Sequence, residues 1–152
     1  MNSKPKPKPI LKSERIPKKI KKQNHYKPGF VYLFHDPLAV ITKGVTLCKA
    51  GLSGKPKRRR YYLSQEYQSD LIIKAIAPTM NMRLTEILIH KIFQKHNVLR
   101  QQGLDGYTEW FAVTFLRIIQ MQTSLYLVAI AVNFLYLVVV VLMILTLVKI
   151  LF

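Results

Sequence analysis

The feature that most constrains this chain is a long uncharged segment near its C-terminus. No side chain in residues 118–148 is charged, and within 125–148 the clearly polar residues are Asn133 and Thr146. A helix rises about 1.5 Å per residue, so about 20 apolar residues cross a hydrocarbon core of ~30 Å. A helix that packs on a soluble domain keeps a polar face, and this segment has none. The sequence therefore predicts a transmembrane helix over residues 124–148, in contact with membrane lipid, rather than a buried core helix.

The flanks of this segment predict its orientation. Lys and Arg dominate its N-terminal side, whereas three residues follow Lys149. The positive-inside tendency then predicts a single-pass membrane protein with residues 1–117 in the cytosol. Residues 114–123 are predicted to form a linker, and 149–152 a C-terminal stub. Asn133, in the middle of the span, is either a tolerated polar residue or a hydrogen-bonding contact with a second copy.

The chain is strongly basic, with 24 Lys and Arg against 7 Asp and Glu and a net charge of +17. Such an excess favours a polyanionic partner, either nucleic acid or an anionic membrane surface. Residues 1–28 include the repeat KPKPKP, and proline alternating with like charges predicts a disordered basic arm. The arm is a solvated tail, a phosphate-binding or lipid-binding segment, or a nuclear import signal. It has no apolar run, so no signal peptide is predicted. Cys48 is the single cysteine, which is typical of a reducing compartment.

Strand and helix patterns follow one another between the arm and the apolar segment. Strands are predicted over residues 29–34, 44–52, 70–78 and 108–113, the third of them buried on both faces, with helices from Lys57 and over 83–98. Residues 35–44, which contain Pro37 and Gly44, are predicted to be an irregular connection.

The helix predicted over 83–98 is amphipathic. Helical spacing indicates a core-facing set of Leu84, Ile87, Leu88 and Ile92, and an adjacent stripe of Glu86, His90, Phe93 and Asn97. Glu86 is the only acidic residue in this helix. The stripe is therefore the part of the helix with chemical interest.

Five short motifs follow one another along this part of the chain. In order they are Gly29-Phe30-Val31-Tyr32, Lys49-Ala50-Gly51-Leu52-Ser53, Pro56-Lys57-Arg58-Arg59, Glu86 with His90 and Phe93, and Glu109-Trp110-Phe111. None is specific alone. Together, in this order and spacing, they resemble the GIY-YIG endonuclease superfamily, in particular its short branch in phages and large DNA viruses. The resemblance covers residues 29–113, the whole predicted nuclease-like domain.

The resemblance implies an α/β (α+β) fold, with a small central antiparallel three-stranded sheet flanked by helices, and metal-dependent hydrolysis of DNA. Glu86 would then hold one divalent ion, Mg²⁺ or Mn²⁺. Arg59, or Arg58 in its place, would contact the phosphate. Tyr32 would position or deprotonate the attacking water. Lys49 replaces a tyrosine of the wider superfamily, a change that the phage branch tolerates, and is the fourth candidate catalytic residue.

Contacts to nucleic acid are predicted for a further set of side chains: Lys55, Lys57, Arg58, Arg60, His90 and Asn97. Ordinary structural explanations remain open for several of these residues. Tyr32 would also suit the edge of a core, Arg58 to Arg60 a solvated helix face, and Glu86 the first turn of a helix. The leading hypothesis is a membrane-tethered endonuclease. The alternatives are a catalytically silent nucleic-acid-binding or membrane-surface module, and a soluble nuclease with an accidental hydrophobic tail.

Overall fold

The computed structural model describes residues 27–100, 104 and 108–152, so the predicted arm lies outside the described residues apart from Lys27 and Pro28. The elements, in chain order, are β1 (Gly29–Thr42), β2 (Val45–Ser53), α1 (Pro56–Tyr67), β3 (Ile72–Thr79), α2 (Met82–Phe93), a 3-10 turn (Gln94–His96), β4 (Asn97–Val98), β5 (Trp110–Thr114) and α3 (Phe115–Leu151). The α+β class and the antiparallel sheet are confirmed.

The sheet has five strands, in the order β3-β1-β2-β5-β4, and the prediction of three was wrong. β5 pairs with β2 from Val45 to Lys49, which adds a fourth strand. β4 supplies only Asn97 and Val98, which pair with Phe111 and Trp110. These two residues had been assigned to a helix because the apolar spacing continues past Phe93. The 3-10 turn ends that helix and returns the chain to the sheet.

Residues 35–44 are not an irregular connection but the outer half of a long β-hairpin. β1 runs on to Thr42, and its register with β2 shifts between Asp36 and Val40 and again before Thr42. Such bulges let a strand continue past Pro37, which cannot donate to a ladder. Gly44, with φ of 79°, completes the turn in a conformation that a side chain disfavours.

β3 is an edge strand, so the prediction that it is buried on both faces was wrong. Its Ala75 and Ala77 are buried, whereas Ile72 is 42% exposed. Pro78 lies within β3, opposite Phe30, which an edge strand tolerates because proline lacks a backbone N–H for a ladder on both sides.

The two faces of the sheet are covered by different helices. On one face α1 packs its Leu63 and Tyr67 against Tyr32, Phe34 and Trp110 of the sheet. The opposite face carries a larger core, in which α2 and the first half of α3 pack on alternating residues of the strands: Val31, Leu33, Cys48, Ala50, Ala75, Ala77, Phe111 and Val113. The sheet is thus the middle layer of three.

The buried face of α2 differs from the predicted one. Its buried residues are Met82, Thr85, Glu86, Ile89 and Phe93. Of the predicted core set, Ile87 and Ile92 are exposed, and Leu84 and Leu88 are only half-buried. The apolar pattern allowed two overlapping faces. In the structure, α2 turns the face that carries Ile89 and Phe93 to the sheet, and Glu86 lies on that same face.

Residues 115–123, predicted to be part of a linker, are instead the first turns of α3. Ile118 and Met121 belong to the core, which explains why this stretch is ordered against the sheet. α3 also contains an 18-residue apolar stretch, and the helix is long enough to cross a membrane. The mean hydropathy of that stretch is 2.9, and 11% of it is buried within the protein. A helix that is long and apolar enough to cross a membrane is therefore present where one was predicted, but it begins as part of the globular domain.

Candidate functional site

Tyr32 lies at the centre of the candidate site, on β1 opposite Gly51 of β2. Its ring stacks on Phe34, with the ring centroids 4.0 Å apart. The phenol reaches over Gly51, so closely that a Cβ on that glycine would lie 2.6 Å from the hydroxyl oxygen. Arg59 of α1 donates a hydrogen bond to the same hydroxyl. The first three predicted motifs therefore meet at one oxygen atom.

The protonation state of Tyr32 follows from its surroundings. Burial raises its pKa well above the ordinary value, and the nearby charges of Glu109 and Glu86 act in the same direction. The Arg59 guanidinium opposes this rise without cancelling it. At neutral pH the phenol is therefore protonated, and it can donate its O–H while it accepts from Arg59.

Lys49 is fully buried, and its ammonium contacts the carboxylate of Glu109 at 2.8 Å. The ammonium also lies 5.5 Å from the centre of the Trp110 ring. A buried charge is retained only with a partner, and Glu109, whose side chain is 32% exposed, supplies it. Lys49 is thus not a solvated strand residue. It is a fixed positive charge below the surface of the site.

Glu86 is buried on α2, where its Oε2 accepts from Arg83 at 2.9 Å. Burial raises the pKa of this carboxyl, and the charge of Glu109 raises it further. Arg83 and Lys49 act in the opposite direction. The Arg83 side chain is 47% exposed, so it can leave the carboxylate at little cost. Glu86 is therefore a carboxylate that is held in place but can be released by its partner.

His90 lies on α2, one turn after Glu86. One ring nitrogen hydrogen-bonds to the backbone of Ala50, and the ring lies 5.1 Å from that of Phe111. Its Nε2 is buried without a hydrogen-bond partner among the described residues. Burial lowers the His90 pKa, so the neutral ring presents Nε2 as an acceptor. His90 Nε2 is therefore a buried acceptor that no described side chain or backbone group satisfies.

These groups form one electrostatic cluster. The charge of Glu109 acts on Tyr32, Glu86 and His90, and that of Lys49 acts on both Glu86 and His90. The charges of the candidate catalytic residues thus act on a shared network of groups, although Tyr32 and Arg59 lie on the α1 side of the sheet and Glu86 and His90 on α2. Sequence reasoning missed Glu109 and Arg83 as members of the site. Glu109 had been noted only as part of the Glu-Trp-Phe motif, whereas Arg83 stands three residues before Glu86, where a helical ion pair was readable.

Four other predicted nucleic-acid contacts lie at the start of α1 or directly before it. Lys55 and Lys57 are exposed at the start of α1. Arg58, also exposed, donates to the hydroxyl of Tyr62 at 2.8 Å, and Arg60 donates to the carbonyl of Leu71 at 2.9 Å. Lys57, Arg58 and Arg60 lie on the same helix as Arg59, Lys55 directly precedes it, and together they give this side of the site a positive potential.

Asn97 does not share the face of Glu86, and that prediction was wrong. It lies in β4, beyond the end of α2, and donates its side-chain N–H to the carbonyl of Thr108 at 2.7 Å. This contact joins β4 to the segment before β5. Asn97 is therefore placed to support the sheet edge, away from the helix stripe that was expected.

The donors present suit a Mg²⁺-type ion. No three His, Cys, Asp or Glu side chains cluster among the described residues, so those residues form no closed protein cage. Mg²⁺ keeps several waters and takes one or two carboxylates together with substrate phosphate oxygens. Glu86 offers such a carboxylate, and the half-exposed Arg83 that now occupies it is displaceable.

A comparison with protein families identifies the family to which this domain belongs. A model of the T5orf172 domain matches residues 29–124, which is most of the chain. The chain belongs to the T5orf172 domain family. This is a phage-associated family of nuclease-like domains, and the match extends past β5 into the buried first half of α3. No curated protein and no solved structure matches the chain. The T5orf172 domain thus comprises the sheet, both of its covering layers and the candidate site.

Proposed function

We propose that this protein is a membrane-tethered endonuclease of the GIY-YIG type, which hydrolyses DNA phosphodiester bonds with the help of a divalent metal ion. The observation that carries the proposal is the hydrogen bond that Arg59 donates to the Tyr32 hydroxyl, with the charge of Glu86 near enough to act on the same phenol. A T5orf172 domain with this cluster contains the groups that phosphodiester hydrolysis needs.

Arg59 and, from below the surface of the site, Lys49 supply the positive charge that acts on the phosphate in this proposal. A guanidinium offers a planar fork of donors to a phosphate and remains protonated at every physiological pH. Lys49 is held below the surface by Glu109, so its charge is preorganised rather than gathered when substrate arrives. Preorganised charge stabilises the extra negative charge of the pentavalent phosphate more than mobile charge does.

Tyr32 and His90 act on the attacking water and on the substrate oxygens. Because the phenol remains protonated, Tyr32 donates its O–H to a phosphoryl oxygen or to the water and does not begin as a base. The Nε2 of His90, buried and without a partner among the described residues, would accept a hydrogen bond from the attacking water. Water adds to the phosphorus and loses a proton to solvent as the P–O bond to the leaving sugar oxygen breaks, and that oxygen takes a proton from solvent in turn.

Glu86 is the residue that would hold the metal ion. When bound, a Mg²⁺-type ion neutralises phosphate charge and stabilises the leaving oxygen. Arg83 keeps the Glu86 carboxylate ionised and oriented until that exchange, which the exposed position of Arg83 permits. Glu86 therefore acts as an anchor and not as a proton carrier.

DNA is the proposed partner of α1 and of the basic arm. Lys55, Lys57 and Arg58 are exposed beside Arg59, and such charges contact phosphates without reading the sequence. The α3 helix supplies the proposed tether to the membrane, with the domain on the cytosolic side.

A second candidate function is a nucleic-acid-binding module that has lost catalysis. The observation in its favour is that each charged candidate catalytic side chain has a protein partner: Lys49 has Glu109, and Glu86 has Arg83. In that function the ion pairs would serve only the fold, while the surface of α1 would still bind phosphates.

Incubating the full chain, in mild detergent, with supercoiled plasmid and Mg²⁺ separates the two functions. The enzyme nicks the plasmid, and Glu86→Gln, which keeps the shape of the side chain but not its charge, abolishes nicking and spares binding. Lys91→Gln removes a charge from the exposed side of the same helix and is the matched control. Salt-sensitive binding without nicking would instead establish the silent module.

A further inference from the structure

Helix α3 is divided by burial into two halves. Its first half packs on the sheet through Ile118, Met121, Leu125, Ala129 and Val132, which are all buried. From Phe134 onward every large apolar side chain is at least 36% exposed. The buried stripe ends at Val132, so one face of residues 124–132 is already covered by the protein, while Leu127 and Ile130 on the other face remain exposed.

Two polar side chains lie at the point where the halves meet. Asn133 accepts from the N–H of Met80 at 2.7 Å and donates to the carbonyl of Pro78 at 3.1 Å. Tyr136 accepts from the side-chain amide of Asn81 at 2.9 Å. Both therefore bind the β3–α2 turn, and we call these contacts the α3 junction.

The junction assigns Asn133 a role that neither sequence explanation foresaw. Its amide satisfies one backbone donor and one backbone acceptor of the turn, so it has partners within its own chain. A hydrogen-bonded amide in such a place is not a residue tolerated in lipid or a contact to a second copy. The polar residue that seemed to lie mid-span marks the edge of the globular domain.

We infer that the bilayer receives only residues 134–151, and that the α3 junction holds this segment rigidly against the start of α2. The inference rests on the proposed membrane attachment and is independent of the proposed hydrolysis. At about 1.5 Å per residue, residues 134–151 extend roughly 27 Å, close to the ~30 Å of a hydrocarbon core. Lys149 lies in the last turn, where its long stem can carry the ammonium to the headgroups.

Lipid, and not a second copy of the chain, fits this segment. The exposed apolar side chains include Val138, Val139, Val140 and Val141 in succession, and four consecutive residues cover every side of a helix. A partner helix covers one stripe only and would leave the rest in water. Acyl chains surround the helix on all sides, which removes the whole apolar surface from water.

The junction has a consequence for the candidate site. Asn81 caps α2 by accepting the N–H of Leu84 at 3.0 Å, and the same side chain donates to Tyr136. Glu86 lies within the first two turns of that helix. The membrane segment is thus joined to the helix of Glu86 with no flexible tether between them. The site is held at a fixed height and orientation over the bilayer.

A depth scan with nitroxide labels tests where the span lies. Cysteines are placed one at a time at Ile130, Phe134, Val138, Leu142 and Thr146 of a Cys48→Ala chain in vesicles of phosphatidylcholine and phosphatidylglycerol. Relative accessibility to oxygen and to a nickel chelate then gives the depth of each label. We expect the deepest label at Leu142 and a water-accessible label at Ile130. Greatest depth around Tyr136, with the label at Ile130 in lipid, would overturn the boundary in favour of residues 124–148. Labels that remain accessible to the nickel chelate at every position would overturn lipid as the occupant. So would spectra that are broadened by the label of a second copy while accessibility to oxygen stays low.

Hydrogen exchange of the full chain tests the rigid junction. Asn133→Ala should speed exchange in the first turn of α2 by about fivefold, the factor expected for the net loss of one hydrogen bond. Thr146→Ala is the matched control, because the Thr146 hydroxyl bonds only within its own helix, to the carbonyl of Leu142 at 2.8 Å. Equal exchange in the two variants would contradict the junction.

The outcomes for this inference and for the proposed hydrolysis are separable. Insertion with Leu142 deepest but no nicking leaves the boundary intact and contradicts the enzyme. Nicking by a chain that does not insert into the vesicles supports the enzyme and contradicts the boundary.

Discussion

The hydroxyl oxygen of Tyr32 lies 2.6 Å from the position that a Cβ on Gly51 would occupy. The two residues are directly paired across β1 and β2. A glycine at this position is therefore required by the phenol above it, and not by its own backbone dihedrals. The Gly-containing second motif and the Tyr-containing first motif describe a single contact.

Gly51→Ala should move the Tyr32 phenol away from Arg59. Displacing a reacting group by about 1 Å costs up to on the order of 100-fold in rate, and we expect a loss of nicking of that size. Gly54→Ala is the matched control, since a Cβ there meets no atom within 4 Å. Equal activity of the two variants would remove Tyr32 from the mechanism.

The buried ion pair between Lys49 and Glu109 should contribute to stability. Removing one partner of a buried pair costs ~3–5 kcal/mol, and we expect about 2 kcal/mol for Glu109→Gln because Glu109 is partly exposed. Asp70→Asn is the control, because its 3.5 Å pair with Arg60 is exposed and worth less than ~1 kcal/mol. Urea unfolding followed by the fluorescence of Trp110, the single tryptophan, measures both. Equal midpoints would show that the pair adds nothing.

The pH dependence of nicking should report on Glu86. Burial and the charge of Glu109 raise its pKa, so the acid limb of the rate profile lies above the range of an ordinary glutamate. Arg83 lowers that pKa, and Arg83→Gln should therefore shift the limb to higher pH. Lys91→Gln should leave the limb in place. A limb that Arg83→Gln does not move would show that another group limits the rate.

The free energy of unfolding should also depend on pH through the Glu86 carboxyl, but it should fall as pH rises. Its folded-state pKa is raised, so folding favours the protonated form. The contribution of Glu86 is then fully present below its unfolded-state pKa and is lost as pH rises through its folded-state pKa. Glu86→Gln removes this contribution, which unfolding midpoints measured across that interval detect as a flatter pH dependence. An unchanged slope would contradict the raised pKa.

Truncation should locate the end of the globular domain. A chain ending at Arg117 lacks Met121 and Leu125, which are almost fully buried. Each such loss costs ~2–5 kcal/mol, against a total stability of ~5–15 kcal/mol, so this chain should not fold. A chain that ends at Leu137 retains the core and the α3 junction and should be folded and soluble. Circular dichroism and gel filtration distinguish them, and a folded, monomeric shorter chain would exclude α3 from the core.

Local patterns were sufficient for much of the fold and for the list of site candidates. Gly29, Gly44 and Pro56 mark element boundaries, and the ordered motifs named Tyr32, Arg59 and Glu86 before any contact was known. The buried face of α2 was missed because the neighbouring stripes through Ile87 and Ile89 are equally apolar. Only the sheet, which meets one of them, distinguishes the two.

Glu109 shows the same limit within the site. It is separated from Lys49 by sixty positions, and the pairing of β2 with β5 brings the two together. No spacing rule predicts an ion pair across that distance, because its register depends on the assembled sheet.

The apolar segment near the C-terminus shows what the sequence determines and what only the tertiary structure determines. The sequence by itself determined that residues 118–148 favour an apolar environment, because hydrophobicity depends on side-chain composition alone. Only the tertiary structure decided which of them pack on protein: the sheet covers one face of α3 as far as Val132, and Asn133 and Tyr136 bind the β3–α2 turn. Burial against protein and burial in lipid favour the same side chains. The packed neighbours, and not the hydropathy, therefore locate the boundary between them.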